Sequence, residues 1–148
     1  MRYSDAALHA LTEASESLRL TAYPDPGPTG LPWTIGYGHT GPEVHEGMTC
    51  TREQAEIWLR QDITVAERVV NAYAHGLPTQ HQFDALVDFA FNCGSGNFIN
   101  STLLRLFNAC HFQAADEEFG KWIRGGGKIL GGLVKRRALE ASWFMLRD

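Results

Sequence analysis

Four prolines within nine positions restrict the fold of this chain more than any other feature of its sequence. They are Pro24, Pro26, Pro28 and Pro32. Proline can neither continue a helix nor donate a hydrogen bond to a strand ladder, which excludes a helix from this segment. The β-branched and aromatic residues on either side predict strands over 19–24 and 31–38, joined by the loop "DPGPTG". The sequence therefore predicts a β-hairpin near the N-terminus.

Helical periodicity dominates the rest of the chain. The pattern predicts helices from Ser4, as N-cap, to Glu16, and then over about 51–74, 79–91, 101–111, 112–123 and 133–146. Thr51 with Gln54 and Thr79 with Gln82 have the spacing of capping boxes. The helix that contains "QHQFDALVDFAF" is apolar on nearly all sides, which predicts a buried central helix. A length of 148 residues indicates one domain, of mostly helical α+β class.

Two glycine-rich segments interrupt the helices, and no segment looks like a membrane span. "NCGSGN" is predicted to end the central helix, and "RGGGKILGG" to form a flexible loop. No apolar run approaches the roughly 18 residues that a span needs, and the N-terminus lacks the apolar stretch of a secretory signal. We therefore expect folding in the cytoplasm and no membrane insertion.

The three cysteines, Cys50, Cys93 and Cys110, have no metal-ligand spacing and cannot all pair. Free or buried thiols are therefore expected, without a metal.

Positive charge is concentrated near the C-terminus. Between 119 and 147 only Glu140 opposes a set of seven cations: Lys121, Arg124, Lys128, Lys135, Arg136, Arg137 and Arg147. Such a set is most often a solvated helical face, but it also suits an anionic polymer such as nucleic acid or bacterial cell wall. Nucleic acid is the weakest alternative, because no recognised binding motif is present and the net charge is −4.

Two carboxylates and a hydroxyl surround the predicted hairpin. Glu16 lies before its first strand, Asp25 in its loop and Thr34 on its returning strand. One carboxylic acid can protonate the leaving oxygen of an acetal, while a carboxylate and a hydroxyl hold and deprotonate a water. Spacing alone is weak support, because exposed acids near turns are common.

The residues around these three resemble the signature of the phage-type lysozymes, glycoside hydrolase family 24, which includes many phage endolysins. "ESLRLTAYPD" followed by "WTIGYGHT" is similar to the family's Glu, eight residues, Asp, and then Thr in a "TIGxGH" strand. "TREQAEIWLRQD", "QFDALVDFAFNCG", "STLLRLFN" and "GGLVKRRALEASWF" are similar to later family segments, in the same order. The similarity covers nearly the whole chain, although the loop between Asp25 and Thr34 is longer than in the shortest members.

This resemblance implies a muramidase, which hydrolyses the β-1,4 bond between N-acetylmuramic acid and N-acetylglucosamine. Glu16 would be the general acid, Asp25 the general base and Thr34 the hydroxyl that positions the water, with inversion at the anomeric carbon. No cofactor or metal is implied.

The resemblance also implies supporting residues. One of Arg136 and Arg137 should reach the Glu16 region, and the other should be a cation on the helix surface. His39 is interpreted as structural, paired with Asp62, and a raised pKa of His39 would support that role. Sugar contacts are implied for four residues: Thr40, Phe91, Asn92 and Ser101.

The implied architecture is a small hairpin lobe at about 14–60, a long connecting helix, and a helical lobe at about 75–148 on which the N-terminal helix packs. The glycan would lie between the lobes, and hinge opening would admit it. A monomer is expected. It would wait in the host cytoplasm until a holin-type membrane protein admits it to the periplasm.

Two other readings of the same residues stay open. A lytic transglycosylase needs an acid but no base, so Asp25 and Thr34 would have no role in it. A wall-binding module without catalysis needs no acid, yet Glu16 is present.

Overall fold

Helices account for most of the computed structural model, which describes all 148 residues, and two small antiparallel sheets complete it. The helices are α1 (Asp5–Ala7), α2 (Arg52–Tyr73), α3 (Gln80–Cys93), α4 (Ser95–Ile99), α5 (Thr102–Asn108), α6 (Phe112–Glu118) and α7 (Gly131–Phe144). The strands are β1 (Arg19–Pro24), β2 (Trp33–Gly36), β3 (His39–Thr40), β4 (Arg124–Gly125) and β5 (Lys128–Ile129). None of the helices has the length and apolar character that crossing a bilayer requires.

The chain divides into two compact units. The hairpin unit comprises Glu16–Thr64, and the helical unit comprises Met1–Ser15 together with Val65–Asp148. Helix α2 supplies residues to both. All three residues predicted to perform the chemistry fall within the hairpin unit.

The hairpin unit is built on a three-stranded sheet in the order β1-β2-β3. The predicted return strand over 31–38 is shorter than expected, because the chain turns at Tyr37 and Gly38 and adds the short strand β3. A small core of Ala22, Ile35 and Val44 packs under the sheet. A methyl group on Gly36, at φ +67°, would lie 3.1 Å from the Cβ of Ala55 in α2, so the sheet approaches this helix closely only because residue 36 is a glycine.

Helix α3 is the centre of the helical unit, as its apolar sequence predicts. Its buried residues include Phe83, Leu86 and Phe89, and it packs on α7. The predicted capping box is present, since Thr79 and Gln82 each bind the other's backbone N–H. The ring of Phe89 makes edge contacts with those of Phe98, Phe119 and Trp122, an arrangement that favours a unique packing.

The first predicted helix also has the expected start and end. Ser4 caps α1, and a π-helical segment over Leu8–Glu13 continues it. Helical conformation ends at Ser15, immediately before Glu16.

Three predicted segments differ from the structure. The "RGGGKILGG" segment is not a loop throughout but contains the β4–β5 hairpin, whose turn residues Gly126 and Gly127 have φ of +57° and +79°. Two consecutive residues with positive φ match the twist of a two-residue hairpin, which explains the glycines. The "NCGSGN" segment breaks α3 at Gly94 but starts α4 at once. The helix predicted over 112–123 ends at Glu118 and tightens into a 3-10 turn.

Candidate active site

The three residues predicted to perform the chemistry lie along the sheet of the hairpin unit. Glu16 precedes β1 and Asp25 follows it, so the two carboxylates lie beyond opposite ends of one strand. Thr34 lies on the neighbouring strand β2, opposite Tyr23. The hydroxyl-bearing residue Thr34 therefore lies on the strand next to β1, and Glu16 and Asp25 lie before and after β1 in the sequence.

The carboxyl group of Glu16 is half-buried against the turn between β2 and β3. A Cβ atom added to Gly38 would lie 3.5 Å from Oε2 of Glu16. Gly38 has φ +80°, a conformation that side-chain-bearing residues rarely adopt. The glycine in the "GYGH" segment thus allows a tight turn directly beside the acid.

Asp25 is held by its own loop. Its Oδ2 accepts a 2.8 Å hydrogen bond from the N–H of Gly27, the pattern of an Asx turn. The N–H of Asp25 donates to the carbonyl of Gly30 at 3.2 Å, which closes the proline-rich loop behind the carboxylate. A Cβ on Gly27 would lie only 2.7 Å from Oδ2, so this orientation requires a glycine there.

The hydroxyl of Thr34 is only weakly engaged by the protein. It donates to the carbonyl of Pro32 at 3.5 Å, at the limit of hydrogen-bond distance. Thr34 is opposite Thr40 in the β2–β3 ladder, so both side chains project from the same face of the sheet. A hydroxyl with so weak a bond is available to a water molecule.

His39 lies on the opposite face and links the sheet to α2. Its Nδ1 lies 2.8 Å from Oδ2 of Asp62, the predicted pair, and its Nε2 lies 2.7 Å from Oε1 of Glu43. The ring stacks on that of Trp58, with centroids 4.8 Å apart. Burial alone would lower the pKa of His39, but the hydrogen bonds to Glu43 and Asp62, together with their charges, raise it above its ordinary value.

The structure brings His39 and Asp62 together, while the structural role of His39 stays a prediction. The participation of Glu43 and Trp58 was not predicted. No periodicity in the loop over 41–51 indicated that Glu43 turns back towards the sheet.

Arg136 is buried in the helical unit, where it forms two charge-assisted hydrogen bonds to Asp88. Nε donates to Oδ2 and Nη2 to Oδ1, both at 2.9 Å. Thr12 donates to the same carboxylate at 2.7 Å. Burial would raise the pKa of Asp88, but the charge and hydrogen bonds of Arg136 hold it below its ordinary value.

Arg137 is buried beside it and is held by a different set of groups. Nη2 donates to Oδ1 of Asn92, Nη1 donates to Sγ of Cys93 at 2.7 Å, and the guanidinium lies over the ring of Phe89. Nε lies 2.9 Å from Oε2 of Glu140, an ion-pair distance, although the two atoms are not aligned as a hydrogen bond.

Burial of both arginines corrects two expectations. Arg136 is 4% exposed and Arg137 1%, so the expectation that one of them is a helix-surface cation is wrong. For the same reason neither belongs to an exposed cationic face. Buried carboxyls on α3 and α7, which a charge count along the chain does not reveal, keep both in the interior.

The four residues implied as sugar contacts have different surroundings. Thr40 is exposed at the end of β3, and Phe91 and Asn92 are half-buried at the end of α3. Ser101 is buried, and its hydroxyl already caps α5 by accepting from the N–H of Leu104 at 3.0 Å. A sugar at Ser101 would have to compete with this cap.

Comparison with known proteins identifies relatives along almost the entire chain. The model of the family described as Phage lysozyme matches residues 13–140. An endolysin of Bacillus phage B103 is 44% identical over 145 residues, which cover 98% of this chain and 54% of that protein. The chain spans about half the length of the first curated relatives it matches. An endolysin of Acyrthosiphon pisum secondary endosymbiont phage 1 is 38% identical and matches over 97% of this chain and 98% of its own length.

Solved structures agree with this result. The muramidase domain of SpmX from Asticaccaulis excentricus superposes with a TM-score of 0.89 at 36% identity, over 99% of each chain.

Proposed function

Since this chain belongs to the phage lysozyme family, we propose that it is a muramidase. It hydrolyses the β-1,4 bond between N-acetylmuramic acid and N-acetylglucosamine in peptidoglycan, and so lyses a bacterial host. The observation that carries the proposal is the position of Glu16, Asp25 and Thr34 around one small sheet, with both acidic residues half-buried and the hydroxyl weakly bonded.

Each of the three residues has one chemical task. Glu16 acts as the general acid and gives its proton to the glycosidic oxygen as the bond to the anomeric carbon breaks. Asp25 acts as the general base and accepts a proton from a water that Thr34 holds by its hydroxyl. The oxygen of this water bonds to the anomeric carbon from the opposite face, so the configuration inverts.

Inversion needs space for the water between the two carboxyl groups, about 6.5–9.5 Å in glycosidases of this kind.

The loop that contains Asp25 supports the assignment of Asp25 as the general base. The Asx turn to Gly27 fixes Oδ2, and hence the direction of the carboxylate, before a substrate arrives.

We also propose roles for the residues that support these three. One of Arg136 and Arg137 orients Glu16, while the pair of His39 and Asp62 fixes the strand that leads to Thr40. The sugar contacts are Thr40, Phe91, Asn92 and Ser101. No cofactor takes part, because the carboxyl groups supply and remove the protons.

The proposal extends to the route by which the enzyme reaches its substrate. The protein acts as a monomer on the glycan strands, binds no nucleic acid, and reaches the wall after a holin-type membrane protein has opened the inner membrane. Co-expression with and without such a membrane protein, followed by the optical density of the culture, tests the route. Equal lysis in both cases would refute it.

Digestion of purified peptidoglycan by the wild type and by Glu16→Gln tests the activity, with the fragments weighed by mass spectrometry. We expect reducing-end muropeptides from the wild type and a rate at least about 10² lower in the variant, as for loss of a general acid. Glu53→Gln, an exposed carboxylate in the first turn of α2, is the matched control and should retain the rate. Anhydro-sugar ends would identify a lytic transglycosylase, and no fragments would favour a binding module.

A further inference from the structure

A pocket of about 350 Å³ lies wholly within the helical unit, between the end of α2 and helix α5. Tyr73 and His75 line it on the side of α2, and Thr102, Arg105 and Asn108 line it on the side of α5. A volume of this size is within the range of small-molecule sites. The pocket is thus large enough for the polar head of a ligand.

The pocket has no part in the hydrolysis proposed above. Of its lining residues only Ser101 was implied as a sugar contact, and the hydroxyl of Ser101 is already engaged. It donates to the carbonyl of Phe98 at 2.7 Å and accepts from the N–H of Leu104 at 3.0 Å. A ligand in this pocket would therefore use the other side chains.

The two chain segments that form the pocket carry no acidic residue. None occurs between Glu67 and Asp84, and none occurs between Asp88 and Asp116. Arg105 takes part in none of the ion pairs of the structure. In a chain with a net charge of −4, the pocket is therefore a local site of positive charge that suits an anion.

The hydrogen-bond donors of the pocket favour a phosphate group. The hydroxyls of Tyr73 and Thr102 and the imidazole of His75 make no hydrogen bond within the protein. The guanidinium of Arg105 matches the geometry of phosphate oxygens. Because a phosphate presents oxygens in several directions, it can accept from donors on both sides of the pocket at once.

The two sides of the pocket are held together before any ligand binds. Oδ1 of Asn108 accepts from the N–H of His75 at 2.7 Å, and its Nδ2 donates to the carbonyl of Tyr73 at 2.9 Å. A Cβ atom added to Gly76 would lie 2.6 Å from the carbonyl oxygen of Phe107, so the chain after His75 packs directly on α5. Little ordering is then needed when a ligand arrives.

Leu77 projects from the same loop and has no packing partner that explains its conformation. Its φ is +54°, in the left-handed region that bulky residues rarely adopt, and 89% of its surface is exposed. Backbone strain of this kind persists where the strained residue has a function. An apolar side chain so exposed, two residues from a pocket for an anion, indicates a ligand with both a charged and an apolar part.

We propose that this pocket binds the phosphate group of an anionic phospholipid, so that the helical unit docks on a lipid surface. Arg105, His75 and the two hydroxyls hold the phosphate, Leu77 enters the boundary of the acyl chains, and Tyr73 lies at the level of the headgroups. A phosphate-bearing wall polymer is less well suited, because it offers no apolar group to cover Leu77. The contact is peripheral, and the inference does not depend on the proposed hydrolysis.

Co-sedimentation of the full chain with vesicles tests the proposal. One set of vesicles is pure phosphatidylcholine, and the other contains one quarter phosphatidylglycerol. We expect the wild type to bind the anionic vesicles at least about fivefold more strongly, and Arg105→Gln to remove most of that difference. Leu77→Asp should weaken binding to the anionic vesicles about fivefold or more, because it places a carboxylate at the acyl boundary.

Leu77→Gly separates docking from folding. Glycine adopts the left-handed conformation without strain, so this variant should resist urea at least as well as the wild type. It should nevertheless bind the anionic vesicles about threefold more weakly, because the apolar side chain is absent. Unchanged binding by Leu77→Gly would overturn the role of Leu77 and, with it, the choice of a lipid.

Lys135→Gln and Ile57→Asp are the matched controls. Lys135 is an exposed cation on α7, Ile57 is an aliphatic residue that is 51% exposed, and neither lines the pocket. Both variants should bind the anionic vesicles within about twofold of the wild type. Equal losses in the controls and in the pocket variants, or equal binding of the wild type to both kinds of vesicle, would overturn the proposal.

Competition with a soluble poly(glycerol phosphate) chain distinguishes the two sources of phosphate. If this chain binds the wild type and Leu77→Asp equally and Arg105→Gln poorly, the pocket takes a wall polymer and the lipid assignment fails. Hydrolysis of soluble peptidoglycan fragments is measured on the same variants, and Arg105→Gln and Leu77→Asp should retain the wild-type rate. If the wild type itself hydrolyses nothing, the proposed function fails, and the vesicle measurements still decide the docking site.

Discussion

Nδ1 of His39 lies 2.8 Å from Oδ2 of Asp62, and this pair joins the last strand of the small sheet to the long helix α2. Because the pKa of His39 is raised in the folded protein, the protonated ring binds Asp62 more strongly than the neutral ring does. The pair should therefore stabilise the fold fully below the unfolded pKa of about 6.5, and less as the pH rises through the folded pKa.

Asp62→Asn tests this dependence. We expect the variant to lose more free energy of unfolding at pH 5.5 than at pH 9, as measured by urea denaturation at each pH. An NMR titration should show His39 titrating above 6.5 in the wild type and at a lower pH in the variant. A wild-type His39 that titrates at its ordinary value would contradict the prediction.

Gly36 and Gly47 both have positive φ, but only Gly36 contacts another element. A methyl group on Gly36 would lie 3.1 Å from Cβ of Ala55, whereas one on Gly47 would meet nothing within 4 Å. Alanine at either position would introduce backbone strain of about 1–2 kcal/mol. We expect Gly36→Ala to lose about 1 kcal/mol more than Gly47→Ala, because helix α2 must also move. Equal losses in urea denaturation would show that the close contact is unimportant.

Asp88 and Arg136 are both buried, and removing Asp88 takes from the guanidinium its carboxylate partner in two hydrogen bonds. Asp88→Ala should lower the free energy of unfolding by about 3–5 kcal/mol. Glu117→Ala, an exposed acid on α6, should change it by about 0.5 kcal/mol or less. Thermal and chemical denaturation measure both values. A small loss for Asp88→Ala would mean that Arg136 finds other partners at little cost.

Asp116 has its pKa raised to about 6 by burial and by the neighbouring charge of Glu117. Its Oδ1 is buried without a hydrogen-bond partner. Since the folded pKa lies above the unfolded value, the folded state binds more protons between about pH 4 and 6, and stability falls as the pH rises through that range. Asp116→Asn should therefore stabilise the protein at pH 7.5 and have little effect at pH 3.5. Similar changes in melting temperature at both values would contradict this.

Local sequence patterns correctly predicted where a helix or strand starts or ends when a single residue determines that position. Ser4, Thr79 and Ser101 cap helices as expected, because capping depends on a side chain and the N–H groups two or three residues on. The prolines placed β1 and the loop after it. The β4–β5 hairpin was missed because two-residue strands have too few positions to show alternation.

The residues of the candidate site were only partly predictable, because some of their contacts leave no local pattern in the sequence. Glu16, Asp25 and Thr34 are recognisable because they lie within 19 residues of one another in a distinctive segment. Arg136 and Arg137 looked like surface cations because their partners Asp88 and Asn92 are more than 40 residues away. Glu43 was missed for a different reason: it lies only four residues after His39, but a bond between a loop and a strand leaves no periodic pattern in the sequence.

The proline-rich loop has a consequence for how the proposed base is kept in position. Each proline fixes one backbone torsion, so the unfolded loop already has few conformations to lose when it orders. The carboxylate of Asp25 is bonded within this loop to Gly27, while the neighbouring Pro26, Pro28 and Thr29 are exposed. The orientation of this carboxylate is thus determined by the proline rings and the hydrogen bond within the loop, and not by packing in a hydrophobic core.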